Sequence, residues 1–137
     1  MATAYTTWNS SMEIGNTLID SQHKQLISAI NNLFDAYQSG NGRKEVEHTM
    51  NFLLDYTIKH FNEEEELQKE YNYPDCIQHK NIHSNFIEEV KKMATTLQLT
   101  GPSDDLISHI CQTTGRWIIN HIKQEDIKIA NHIKSLQ

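Results

Sequence analysis

Three short breaks punctuate this chain: SGNG at 39–42, YNYP at 71–74 and LTGPSD at 99–104. Around them lie four stretches, about 19–38, 43–70, 75–98 and 104–133, whose apolar residues recur at alternating steps of three and four. Both prolines and four of the five glycines fall outside these stretches or at their edges. Gly115, inside the fourth, weakens that helix locally without ending it. Pro74 with Asp75 suits the first turn of a helix, and Ser103 followed by Asp104 and Asp105 suits an N-cap with acid complementing the dipole. No stretch alternates with period two, so no strand is expected. Long helices joined by short loops prefer antiparallel neighbours. The expected fold is all-α, an up-down-up-down antiparallel four-helix bundle with an N-terminal extended arm. At 137 residues the chain is expected to form one domain, 1–137, with a core of its own.

Composition removes several function classes. A formal charge of −6 offers no basic stripe for nucleic-acid phosphates. No apolar run approaches the ~20 residues of a membrane span. The opening MATAYTTWNSSMEIG has neither a basic nor an apolar leader region, so the cytoplasm is the expected compartment. Cys76 and Cys111 lie far apart without a CxxC spacing, which argues for free thiols rather than a disulfide or structural zinc site.

The eight histidines divide by position on the helical faces. The first seam reads Ile19, His23, Leu26, Ile30, Leu33, Tyr37, and the second Val46, Met50, Leu53, Thr57, His60, Glu64, Leu67, Tyr71. The third reads Cys76, His79, His83, Phe86, Val90, Met93, Leu97; the fourth carries Ile107, Ile110, Thr114, Trp117, Ile118, His121 and Ile122 inward. A single histidine on an apolar face is usually a core residue with a satisfied ring. Five of them across four helices, with one carboxylate, cannot each be buried alone without a large desolvation cost. In an antiparallel bundle all six lie toward the same end, so they converge, and convergence points to a metal. His48, His109 and His132 have no ligand-type partner four residues away and are expected at the surface or in a supporting role.

His79 and His83 are i,i+4, about 40° apart around a helix, so both rings face one point. His60 and Glu64 repeat that spacing. His121 is followed by Asp126 at i,i+5, a swing of about 140°, which requires either a sideways reach or a local π-bulge. Five nitrogens and two carboxylates exceed the four ligands of zinc and suit two octahedral first-row metals bridged by the carboxylates; mixed imidazole and carboxylate ligation fits iron. The Glu-x-x-His motif of ferritin-like diiron proteins is absent from residues 60–83.

Taken together, WNSSMEIGNTLIDSQHKQL, HFNEEEEL, YPDCIQHKNIH and WIINHIKQED resemble the hemerythrin family over essentially the whole chain, and the length is similar to that of single-domain bacterial members. The resemblance implies one iron on His79, His83 and His121 and another on His23 and His60. It implies Glu64 and Asp126 as bridges with an oxo or hydroxo group, and O2 as the ligand of the two-histidine iron. It implies Ile118, Phe61 and Trp117 as O2-pocket residues, with Trp8 and Phe86 in support; core packing explains each of these equally well. It further implies that O2 is held as a terminal hydroperoxide, with the bridge proton moved onto it. Two electrons then shift without a change in net charge, which avoids a Coulomb penalty in a low-dielectric core. One departure is visible: the family tends to carry Leu-Met after the glutamates, and here Leu67 is followed by Gln68, a residue off the seam and expected to affect ligation little.

Reversible O2 binding for storage, delivery or sensing is therefore the leading expectation, with no enzymatic activity. The alternatives are a diiron oxidase, peroxidase or nitric-oxide-handling enzyme, iron storage, and a structural bundle with incidental histidines. The sequence leaves the oligomeric state open and is compatible with a monomer. Within the run of four glutamates only Glu64, about 40° from His60, shares the seam; Glu63, Glu65 and Glu66 point away and are expected in water. Glu64→Ala should then lose iron, while alanine at 63, 65 or 66 should retain it, as metal analysis of the purified variants will read.

Overall fold

The structure, a computed structural model, describes residues 8–137. A short 3-10 turn (Ser10–Met12) leads into α1 (Thr17–Gln38), followed by α2 (Gly42–Glu70), α3 (Cys76–Thr100) and α4 (Asp104–His121). A π-helical turn (Ile122–Asp126) then joins α4 to α5 (Ile127–Ser135). With right-handed helical backbone at both junctions, these last three elements form one fourth rod. The described residues contain no strand, and the architecture is the up-down-up-down four-helix bundle. The expected extended arm lies partly outside the described residues. From residue 8 onward the lead-in carries Met12 and Ile14 into the interior.

The helix ends follow from local chemistry. Asn16 caps α1 by accepting from the Ile19 N–H at 3.0 Å, and Ser103 caps α4 by accepting from Leu106 at 3.1 Å. Asp20, in the first turn of α1, accepts from the Ile14 N–H at 2.9 Å and ties the lead-in to the bundle. Gly101, at φ 77°, ends α3 in the left-handed region that favours glycine, and Pro102 follows. Gly115 is buried within α4 and the helix runs through it. α3 begins at Cys76, just after the proline turn, which is closed by a left-handed Asn72.

Two apolar clusters occupy the interior. The larger includes Leu26, Ile30, Leu53, Phe61, Phe86, Val90, Ile110, Ile118 and Ile122. The smaller closes one end of the bundle with Ile14, Ile19, Leu67, Tyr73, Ile129 and Ala130. Along α1 the sequence Ile19, His23, Leu26 steps from one cluster to the other through a histidine, and α2 does the same through Phe61, Glu64, Leu67. A polar layer therefore lies between two apolar plugs. No helix among the described residues is long and apolar enough to cross a membrane.

Candidate metal centre

All seven side chains singled out as ligands meet in that layer, each at most 6 % exposed and the two carboxylates at 0 %. They form two groups whose ligand atoms lie within 4.8 Å of one another: Glu64, His79, His83, His121 and Asp126, and His23, His60, Glu64 and Asp126. The carboxylates belong to both. Oε1 of Glu64 lies 2.7 Å from His79 Nε2 and 3.2 Å from His83 Nε2. Its Oε2 lies 3.3 Å from His60 Nε2 and 3.5 Å from His23 Nε2. Asp126 divides in the same way, with Oδ1 at 3.0 Å from His121 and 3.1 Å from His79, and Oδ2 at 3.0 Å from His23. Each carboxylate thus turns one oxygen to each histidine group.

Asp126 reaches this position through the π-helical turn. Within it the Ile127 N–H donates to the Ile122 carbonyl five residues back. The wider turn brings residues five apart toward the alignment that an α-helix gives residues four apart. Of the two routes open to the i,i+5 spacing, the chain takes the bulge.

The rings are held from behind. His60 Nδ1–H donates to the Gln22 side-chain oxygen at 2.8 Å, and the Gln22 amide nitrogen donates to Glu63. His83 Nδ1–H donates to Glu65 at 3.2 Å. Both contacts fix the tautomer that leaves Nε2 free to face the centre. Phe61 stacks on His83, with centroids 3.7 Å apart and planes within 4°, and Trp117 stacks on His121 at 4.4 Å and 10°. Two expectations differ from the structure. Glu63 and Glu65 are half-buried, Glu63 accepting from the Gln22 amide and Glu65 from the His83 ring, so of the three neighbours of Glu64 only Glu66 is exposed. Helical angle alone put them in water because it ignores how far a glutamate reaches toward the next helix. Gln68 is not off the seam: it is fully buried, and neither amide atom has a partner. The lead-in and the Tyr73 turn pack around this end of α2 and bury more of its circumference than a bundle seam does. Trp8, expected in support, stands outside the cavity lining, its ring 6.4 Å from that of His23 and under the Lys24 ammonium at 5.3 Å. Gln22, missed in the sequence, had one available signal: it directly precedes a seam histidine.

The remaining histidines stay outside the centre. His48 and His109 are exposed, and His132 donates from Nε2 to the Tyr71 carbonyl at 2.8 Å, tying α5 to the α2–α3 turn.

A cavity adjoins the two-histidine group. Phe61, Phe86, Trp117, Ile118, Leu26 and Ile122 supply its apolar wall, with Thr57, His23, His60, His121 and Asp126. About 10 Å³ is free to the centre of a small guest, room for one molecule of about water's size.

The electrostatics match a cation. Burial disfavours the charged form of His23, yet its contacts with Asp126 and Glu64 outweigh burial and raise it to about 9. His79 is raised to about 9 by the same balance. Burial would push Glu64 up, but four histidines hold it well below its ordinary value. Asp126 is likewise held low, by His121 and His23 against burial and the Glu64 charge. Meanwhile both nitrogens of His23, Oε2 of Glu64 and both oxygens of Asp126 make no hydrogen bond of proper geometry. The ion-pair distances are short but the angles are wrong, because the atoms aim at shared points between them rather than at one another. Buried donors and acceptors with these pKa shifts fit divalent or trivalent metal.

Fold and site together define a metal-binding four-helix bundle with imidazole and carboxylate donors. The comparisons narrow that class. The profile of the hemerythrin HHE cation binding domain matches residues 15–133. A bacteriohemerythrin of Stenotrophomonas maltophilia (strain R551-3) is 34% identical over 128 residues, covering 93% of this chain and 81% of that protein. Another, from Pseudomonas aeruginosa (strain LESB58), is 32% identical over 131 residues, covering 96% and 83%. A crystal structure of wild-type hemerythrin superposes with a TM-score of 0.79 at 24% identity, covering 95% of this chain and 98% of that one. The chain belongs to the hemerythrin family.

Two outcomes test this geometry. Glu65→Ala should weaken iron binding by roughly 10- to 100-fold without abolishing it, whereas Glu66→Ala leaves affinity unchanged, as competition with a chelator will measure. In metal-free protein the raised histidines contribute stability fully below their ordinary value near 6.5 and lose it as pH rises through about 9. The lowered carboxylates contribute above their ordinary values of 4.5 and 3.8 and lose it as pH falls. Melting temperature of the chelated protein should therefore peak between about pH 4.5 and 6.5 and fall on either side. Iron loading needs neutral rings, so it should release protons and remove the alkaline fall.

Proposed function

We propose that this chain is a non-haem diiron protein that binds O2 reversibly, for storage, delivery or sensing, and that it is not an enzyme. The observation that carries the reading is the split of Glu64 and Asp126, each turning one oxygen to either histidine group. In this reading His79, His83 and His121 hold one iron and His23 and His60 the other. Glu64 and Asp126 would be shared by both metals, with a solvent-derived oxo or hydroxo group as a further ligand. An iron pair bound there would supply the two electrons that reversible O2 binding requires.

The protein's own residues account for the rest. Phe61, Trp117 and Ile118 form the apolar wall of an O2 pocket and exclude bulk water from it. Phe61 and Trp117 also clamp the planes of His83 and His121. Gln22 and Glu65 keep the His60 and His83 protons on Nδ1, away from the centre. The cavity lining contains no carboxylic acid apart from the bridging Asp126, which supports binding without cleavage of the O–O bond. The membership of the family and the names of the relatives support O2 as the ligand.

Ferrous iron loaded anaerobically should give about two irons per chain. A visible absorption should then appear on exposure to O2 and disappear when O2 is removed. Rapid bleaching, or steady O2 consumption with a reductant, would instead establish an oxidase or peroxidase. An iron content well above two would establish storage.

A further inference from the structure

Thr57 lies on α2 three residues before His60, a spacing that turns both side chains to one interior face. It is 1 % exposed, lines the cavity, and its hydroxyl has no hydrogen-bond partner. Thr114, equally buried on α4, shows the usual arrangement for a helical threonine: its hydroxyl donates to the Ile110 carbonyl one turn back at 2.7 Å. Thr57 makes no such bond. A buried hydroxyl without a partner costs stability, and such groups are rare in folded proteins. Apart from the candidate metal ligands and the Trp117 indole, every other side chain of the cavity is a hydrocarbon.

We propose that Thr57 is a ligand-binding residue whose hydroxyl donates a hydrogen bond to the small guest of this cavity. The proposal rests on the O2-binding reading above and adds to it the group that recognises the guest. A guest that draws electron density from a metal pair becomes a stronger acceptor, and a neutral hydroxyl donor is matched to it. Phe61 and Ile118 give shape and dryness to the cavity; Thr57 gives it polarity at one point. The site then favours diatomic molecules and small anions that can accept a proton over inert gases of the same size.

Thr57→Val preserves the shape of the side chain and removes the donor, while Thr57→Ser keeps the donor and removes a methyl group. In iron-loaded protein the O2 dissociation rate should rise roughly tenfold in Thr57→Val and stay within about twofold of wild type in Thr57→Ser, the size of one hydrogen bond to a charged acceptor. Azide affinity of the oxidised protein should fall in parallel in Thr57→Val. A crystal structure of the metal-free protein should show an ordered water within hydrogen-bond distance of the Thr57 hydroxyl, lost in Thr57→Val. If wild type binds O2 reversibly and Thr57→Val releases it at the same rate, the role of Thr57 is overturned and the O2 reading stands. If wild type binds no O2, that reading fails, and the azide and water measurements decide Thr57 separately. Unchanged azide affinity, or a hydroxyl bonded to the Leu53 carbonyl with no water beside it, rejects it.

Discussion

Two carboxylates at the centre of this bundle have no access to water, and the rest of the structure is arranged around that fact. A buried anion is expensive unless compensated, and removing its partners leaves an uncompensated charge. Here the compensation comes from five imidazoles on four helices, pressed into one layer between two apolar plugs. The layer is stable only when positive charge offsets the two carboxylates. Protons on His23 and His79 serve when metal is absent, and bound metal would serve in their place. Folding and metal binding are therefore linked through the same atoms.

The long helices serve precision more than bulk. α1 and α2 place Gln22 and Glu63 behind His60, α2 and α3 place Glu65 behind His83, and aromatic rings fix two of the imidazole planes. Such supporting contacts set tautomer and direction, and losing one typically weakens a metal site by roughly 10- to 100-fold. The π-helical turn has the same purpose. It sacrifices the regular α-helical ladder over five residues so that Asp126 can share the centre with His121.

Much of this was legible in the chain. Alternating steps of three and four, interrupted by histidine at one end of every helix, give both the bundle and the convergence. The HxxxE and HxxxH spacings need nothing beyond the pitch of a helix to put two side chains on one face. The reading failed where contacts run between helices. Glu63 and Glu65 looked solvated because their angular position was right for water, but their side chains reach Gln22 and His83 on neighbouring rods. Gln68 looked peripheral because the end of α2 was assumed to have one buried face, and the lead-in and the Tyr73 turn cover others. Thr57 was on the seam from the start, yet nothing in its spacing distinguishes a hydroxyl bonded to its own helix from one left free.

The sequence by itself determined the helices, their order, the end of the bundle where the polar layer forms, and, among the residues that meet there, the five histidines and Glu64. These depend on periodicity and on i,i+4 spacing, which are properties of a single helix. Only the tertiary structure decided which oxygen of each carboxylate faces which histidines, how Asp126 comes into line, and which residues orient the rings from behind. It also decided where a small cavity is left open. Those features depend on the separation and rotation of neighbouring helices, and no single-helix rule contains that information.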